Sequence, residues 1–207
     1  MDFLKRTFPI SKRDTYSENF RHLELHSNDK ILDIGADTSL VLRDVFPKPV
    51  YVAVEPKKTD NLNKLRIGDE LFHDTWPAKD FSHKNFDCIF LLTVLDEIKD
   101  KEKFLAGIIP HMDRQTKLFV AVRNKDFPFR LSNYVSTIDG DQIQDLGTND
   151  YNHLVKENFI IRDVRPFLRP ISFVSLKAFF KTILIRFTTV ILPTKYTYMT
   201  LLELTLK

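Results

Sequence analysis

Short, nearly continuous apolar runs recur along this chain at Lys30–Ile34, Tyr51–Val54, Phe86–Leu92 and Lys117–Val122, each bounded by charged or turn-forming residues. Runs of four to seven residues without polar alternation are too short and too apolar for surface helices, and they predict strands buried on both faces of a sheet. The segments between them carry helical spacing. Thr38 or Ser39 is placed to cap a short helix through Val45, which Pro47 and Pro49 would stop. Residues 57–68 predict a second crossover helix, and Glu70–His73 a short third strand. Asp100–His111 predicts an amphipathic helix with Phe104, Leu105, Ile108 and Ile109 on one face. Strand and helix patterns alternate through residue 122, the mark of a parallel α/β sheet with right-handed crossovers.

The flanks are less regular. Tyr16, Phe20, Leu23 and Leu25 give Ser11–His26 a loose helical spacing, predicting an N-terminal helix laid against the main domain, with Tyr16 a candidate to fold over a ligand. After Asn124 the pattern dissolves into a polar stretch with Gly140 and Gly147, read as a mobile loop over the sheet edge. Thr148 is a candidate cap for a helix over Asn149–Glu157, and Phe159–Val164 predicts a strand. Tyr196–Leu206, rich in threonine and β-prone, predicts a last strand returning antiparallel into the sheet. The expected organisation is one domain: a helical segment at 1–29, a core at 30–167, a basic phenylalanine-rich helical insertion at 168–195 and a final strand at 196–207.

Composition adds little until charge is divided along the chain. With 207 residues, 43% hydrophobic and 29% charged, the chain can bury a sizeable core. The net charge of +3 conceals an asymmetry: residues 151–207 hold nine Lys/Arg against three acids, and the first 150 residues hold 22 basic and 25 acidic groups. A single cysteine, Cys88, excludes an intrachain disulfide and favours a reducing cytoplasmic compartment; no secretory pattern is seen near Met1. The six histidines show no metal-ligand spacing, so no metal is expected.

Chemistry concentrates at the ends of the apolar runs. Ile31-Leu32-Asp33-Ile34-Gly35-Ala36-Asp37-Thr38-Ser39 and Val50-Tyr51-Val52-Ala53-Val54-Glu55-Pro56 each finish in an acid about twenty residues apart, with a glycine-bearing turn after the first. That is the layout of a nucleoside-binding unit, in which a tight turn approaches the ligand and the next strand delivers a carboxylate to a ribose. An acid at the end of a buried strand, as at Asp33, is costly without a partner and so points to a site.

These residues resemble the class I S-adenosylmethionine-dependent methyltransferases, in particular the small-molecule branch with type 11 or type 12 domains, over roughly residues 15–167 and the last strand. Gly35 matches the first glycine of the family's turn; Asp37 and Ser39 replace the other two. Glu55 is similar to the ribose-binding acid, and Asp74-Thr75 to the acid that accepts from the adenine amino group, with Asp80 an alternative alignment. Asn85-Phe86-Asp87-Cys88-Ile89-Phe90-Leu91-Leu92-Thr93-Val94-Leu95-Asp96-Glu97-Ile98 resembles the family's fourth strand and the turn after it, with Glu97 where many relatives carry histidine. Leu118–Asn124 resembles the fifth strand, with Arg123 in place of proline.

The resemblance implies a Rossmann-like fold, a mostly parallel seven-stranded sheet with the last strand antiparallel and helices on both faces. It also implies an S-adenosylmethionine site built from Asp33, Gly35, Ala36, Asp37, Glu55, Pro56, Asp74, Thr75, Leu91 and Leu92, with Glu97 or Asp96 the candidate base. The expected activity is methyl transfer to a small molecule such as a sugar, a glycolipid or another anionic or lipid-linked acceptor. The alternative is a degenerate methyltransferase fold acting as a binding or scaffold protein, favoured by the extra anion at Asp37.

The segment Arg162–Arg186 departs most from a minimal domain, interleaving Phe167, Phe173, Phe179, Phe180 and Phe187 with Arg165, Arg169, Lys177, Lys181 and Arg186. Charges in its middle argue against a membrane span. At 100° per residue Lys177 and Lys181 share a face and Arg186 lies opposite, so the charges do not mark a clean amphipathic helix. Two readings remain: helices packed on the sheet before the last strand, or a substrate-side cap or peripheral patch attracted to anionic membrane. Nucleic acid is not expected as a partner.

Overall fold

The computed structural model describes residues 11–78, 81–124, 127, 136–138, 141–143, 148–168, 176–191, 193 and 197–207. Its centre is a seven-stranded sheet built from β1 (Lys30–Ile34), β2 (Val50–Val54), β3 (Glu70–Phe72), β4 (Cys88–Leu92), β5 (Lys117–Arg123), β8 (Phe159–Pro166) and β9 (Met199–Leu206). The spatial order is β3-β2-β1-β4-β5-β9-β8. β1 pairs in parallel with both β2 and β4, and β2 with β3 and β4 with β5 do the same. β9 inserts antiparallel between β5 and β8. The central strands are buried along nearly their whole length, as their unalternated apolar sequences require.

Each face of the sheet carries its own core. One joins Ile31, Tyr51, Cys88, Phe90 and Phe119 to Phe20, which follows α1 (Lys12–Asn19), and to Leu42 and Phe46 around α2 (Val41–Val45). The other joins Leu32, Val52, Ile89, Leu91 and Val120 to Leu105 of α3 (Lys101–Ala106) and to Tyr151 and Val155 of α4 (Thr148–Val155). Phe20 meets Phe90 and Phe119 edge-on, with centroids 5.2 and 5.5 Å apart, a favoured aromatic geometry.

Several helical expectations are corrected. Residues 57–68 form one 3₁₀ turn, Leu62–Lys64, instead of a crossover helix. Their polar side chains are spent on the preceding turn: Thr59 Oγ1 and Asn61 Nδ2 both donate to the Thr38 carbonyl, and Lys64 Nζ donates to the Ser39 carbonyl at 2.8 Å. Such local side-chain bonds compete with helix formation. Neither Thr38 nor Ser39 caps α2; the Thr38 N–H and the Ser39 hydroxyl both donate to the Asp37 carboxylate, and Leu40 precedes the helix with φ 45°. The Asp100–His111 helix stops at Ala106, beyond which Gly107 and Pro110 leave only a 3₁₀ turn at Ile109–His111. The N-terminal helix ends at Asn19 rather than His26.

Of the polar stretch after Asn124, the described parts are buried Phe127 and a two-stranded ribbon of β6 (Ser136–Ile138) and β7 (Asp141–Ile143); Gly140 and Gly147 lie outside the described residues. Among the described residues of the phenylalanine-rich segment there is one helix, α5 (Leu176–Ile191).

A buried ion pair ties α2 to the residues before β3. Arg43 Nε lies 2.7 Å from Asp69 Oδ2, with both side chains at most 3% exposed. Arg43 Nη1 donates to the Phe46 carbonyl, and Asp69 accepts from the backbone N–H groups of Tyr51 and Arg66. Removing one partner would strand a charge in the core, so Asp69→Ala is expected to destabilise the fold by about 3–5 kcal/mol. The double variant Asp69→Leu with Arg43→Met should recover most of that loss in urea unfolding.

Candidate functional site

The strand order reverses between β1 and β4, and such a switch point leaves a crevice beyond the carboxyl ends of the strands. Here it is a cavity of about 500 Å³, lined by the residues after β1, β2, β3 and β4 together with Lys12 and Tyr16 of α1, Phe104 of α3 and Phe167 after β8. The volume falls in the range of small-molecule sites.

Gly35 opens the first turn at φ 73°, donating its N–H to the Val54 carbonyl at 2.8 Å. A Cβ there would sit 2.5 Å from Val94 Cγ2, so only glycine lets the β1 turn close against the β4 turn. The β4 turn is itself bent at Thr93, with φ 70° and its N–H bonded to the Ala121 carbonyl. Both bends face the same cavity.

Three carboxylates converge on this turn. Glu55, 6% exposed, accepts the Asp37 N–H at Oε2 and the Lys57 N–H at Oε1, each at 2.9 Å. A carboxylate has about four acceptor positions, so two backbone donors fix its orientation and leave capacity for ligand hydroxyls. Asp33 is fully buried and accepts the Tyr51 hydroxyl at 2.6 Å. Burial pushes its carboxyl up to about 7; the Tyr51 hydrogen bond works the other way, and the Glu55 and Asp37 charges add to the rise.

Asp37 sits at φ 57° with its side chain about half exposed. Its Oδ2 accepts Lys12 Nζ at 2.6 Å and the Ser39 hydroxyl at 3.0 Å, and its Oδ1 accepts the Thr38 N–H at 2.7 Å. Partial burial acts to raise its pKa, but these donors and the Lys12 charge outweigh burial and hold it below the usual carboxylate range.

Of the residues singled out in the sequence, Asp33, Gly35, Ala36, Asp37, Glu55, Pro56, Asp74, Thr75, Leu92 and Glu97 line the cavity, and so does Tyr16. Asp74 accepts the Thr75 N–H at 2.7 Å; the alternative acid, Asp80, lies outside the described residues. Two residues are placed elsewhere. Leu91 points into the core on the face carrying α3. Asp96 is 2% exposed and accepts the Arg123 backbone N–H and its Nε, at 3.1 Å each, so it braces the end of β5.

Lys12, Thr93, Val94, Trp76 and Phe104 join the lining without having been singled out as site residues, and Phe167 joins it from the segment read as a possible substrate-side cap. Only Thr93 and Val94 carried a usable signal, since they follow the strongest strand run directly. The others arrive from helices, loops and a distant strand.

A mixed sheet in this order, with the crevice at its switch point, defines the fold of the class I S-adenosylmethionine-dependent methyltransferases. The particular structures it resembles are methyltransferases. One is a chain of the complex between the Haloferax volcanii Trm112 methyltransferase activator and the putative methyltransferase, at 10% identity and TM-score 0.65, covering 93% of this chain and 87% of that one. Another is the plantazolicin methyltransferase BpumL in complex with a triazolic desmethylPZN analog and SAH, at 15% identity and TM-score 0.58, covering 99% and 84%. A third is StiE O-MT, at 12% identity and TM-score 0.61, covering 95% and 74%. The sequence matches no family model and no curated protein.

The raised Asp33 carboxyl couples stability to pH. The unfolded chain releases this proton near 3.8 and the folded protein only near 7, so folding becomes less favourable as pH rises between those values; above them the full penalty remains but no longer varies with pH. Asp33→Asn, which keeps an acceptor for Tyr51, should remove this slope. Relative to wild type the variant gains stability from about pH 4 to about pH 7, on the order of 4 kcal/mol at full extent, as read from urea midpoints across that range.

Proposed function

We propose that this chain is a methyltransferase that uses S-adenosylmethionine to methylate a small-molecule acceptor. The observation that carries the reading is Glu55, a buried carboxylate oriented by two backbone N–H groups at the tip of β2, beside a turn that closes only because residue 35 lacks a side chain. That donor set fits a ribose, whose two hydroxyls both donate to one carboxylate.

Asp74 and Thr75 are the groups we assign to the adenine edge, with Leu92 and Pro56 as apolar walls. Gly35, Ala36, Asp37 and Lys12 border the amino-acid end, where Asp37 suits an ammonium and Lys12 a carboxylate. When bound, S-adenosylmethionine supplies a methyl group already activated on a sulfonium. The chain's own contribution is orientation, holding the acceptor in line with that methyl where proximity supplies much of the rate. Glu97, exposed at the cavity rim, is the candidate to accept a proton from an oxygen acceptor; Asp96, bound to Arg123, serves as a positioning residue. The acceptor class we favour is a sugar, glycolipid or other anionic or lipid-linked small molecule, and the compartment the cytoplasm.

The second reading, a degenerate fold that binds partners without catalysis, is favoured by the Lys12–Asp37 pair. If Lys12 stays with Asp37, it is not free to receive the cofactor carboxylate, which would then lie beside Asp37 without a cation of its own.

Isothermal titration with S-adenosylmethionine and S-adenosylhomocysteine separates the two readings. Wild type is expected to bind both, and Glu55→Ala to weaken binding about 10–100-fold, the worth of hydrogen bonds to a charged acceptor. Absence of heat with either ligand at millimolar concentration would sink the enzyme reading.

A further inference from the structure

Helix α5 is sided the wrong way round for a helix that only packs on a sheet. Phe180, Leu184, Phe187 and Ile191 are 60%, 39%, 58% and 60% exposed, whereas Thr188 and Thr189 are buried. The two threonine hydroxyls are satisfied within the helix, both donating to the Ile185 carbonyl. The exposed positions follow the spacing i, i+4, i+7, i+11, which is a single stripe about 16 Å long. An apolar stripe of that size facing water marks an interaction surface.

The charge around it selects the partner. From residue 164 to residue 202 the sequence contains Arg165, Arg169, Lys177, Lys181, Arg186 and Lys195 and no aspartate or glutamate. An exposed apolar stripe within a stretch of sequence whose only charged residues are basic fits an anionic lipid surface, where an apolar face enters the headgroup boundary and basic residues are drawn to the phosphates. No helix among the described residues is long and apolar enough to cross a membrane, and 16 residues reach only about 24 Å. The fit is therefore to lying on a bilayer rather than spanning it.

Position joins this surface to the cavity. β8 ends and β9 begins at the same edge of the sheet, where the Phe167 N–H donates to the Met199 carbonyl, and Phe167 lines the cavity. Both ends of the chain segment that carries α5 thus emerge at the cavity edge. We infer that α5 is an interfacial helix that docks this protein on anionic bilayers through Phe180, Leu184, Phe187 and Ile191. Docking does not depend on the methyltransferase reading, although it would bring the cavity to lipid-resident acceptors.

Co-sedimentation of the full chain with phosphatidylserine-containing vesicles tests this. Wild type is expected to pellet at low salt, to be released by high salt, and to stay in solution with phosphatidylcholine alone. Phe180→Ser with Phe187→Ser and Ile191→Ser, all at exposed positions, should lower the partition at least tenfold. Lys177→Gln with Lys181→Gln and Arg186→Gln should lower it on the order of a hundredfold, from about fivefold per cation. Thermal unfolding and S-adenosylhomocysteine titration of the same variants separate loss of docking from loss of fold or of the cofactor site. Wild type that fails to pellet at low salt, or serine variants that pellet as wild type does, would overturn the inference. So would a concentration-dependent dimer in size-exclusion chromatography that the serine variants abolish, since the stripe would then cover a second copy of the chain.

Discussion

The contact between Gly35 and Val94 is the constraint on which the rest of the site depends. Two strands that part at the switch point must have their following turns brought together, and they come so close that a Cβ on Gly35 would lie 2.5 Å from a methyl of Val94. Closing that gap sets the direction of the chain through Asp37, whose N–H then reaches Glu55, and through Thr93, whose N–H reaches the neighbouring strand. A side chain at position 35 would hold the turns apart and disturb the acid at the end of β2 without touching it. The same geometry explains why Leu40 and Asp37 both carry positive φ: the turn is compressed, and its strain is held by bonds from Thr59, Asn61 and Lys64.

The second organising fact is electrostatic. Asp33, Asp37 and Glu55 meet in one crevice, and like charges so placed cannot all remain bare. The protein resolves the conflict in three ways: a retained proton on Asp33, a lysine on Asp37 and backbone dipoles on Glu55. The result is an acidic crevice whose charge is only partly compensated from within. A ligand bearing positive charge would relieve what remains, which agrees with a sulfonium and an ammonium on one molecule.

The strands and their acids were legible in sequence because burial on two faces writes an unmistakable run, and β1 was read to its last residue. The last strand was legible from its threonine-rich, β-prone sequence, and its antiparallel return agrees with the fold that the family resemblance implied. The connections were not. Residues 57–68 and 100–111 have helical spacing, yet side-chain bonds to the Thr38 and Ser39 carbonyls in one case and Gly107 with Pro110 in the other decide their form, and neither is a periodic signal. Asp96 reads as a site residue until Arg123, 27 positions away, is seen to claim it. The sidedness of α5 escaped a wheel drawn on charges because its buried side is marked by threonines that satisfy their own hydroxyls.

The place of β9 has a consequence for the order in which the protein takes shape. β8 touches the sheet only through β9, and β9 is made some thirty residues later than β8. As the chain emerges during synthesis, β1 to β5 can pair among themselves, but β8 must wait with its edge open and α5 displayed until Met199–Leu206 slots between it and β5. The edge of β8 thus waits longest in the nascent chain, and the phenylalanine-rich helix follows it out before β9 can close the sheet. A surface that suits lipid in the finished protein is also the surface most in need of shelter, from membrane or chaperone, while the protein is being born.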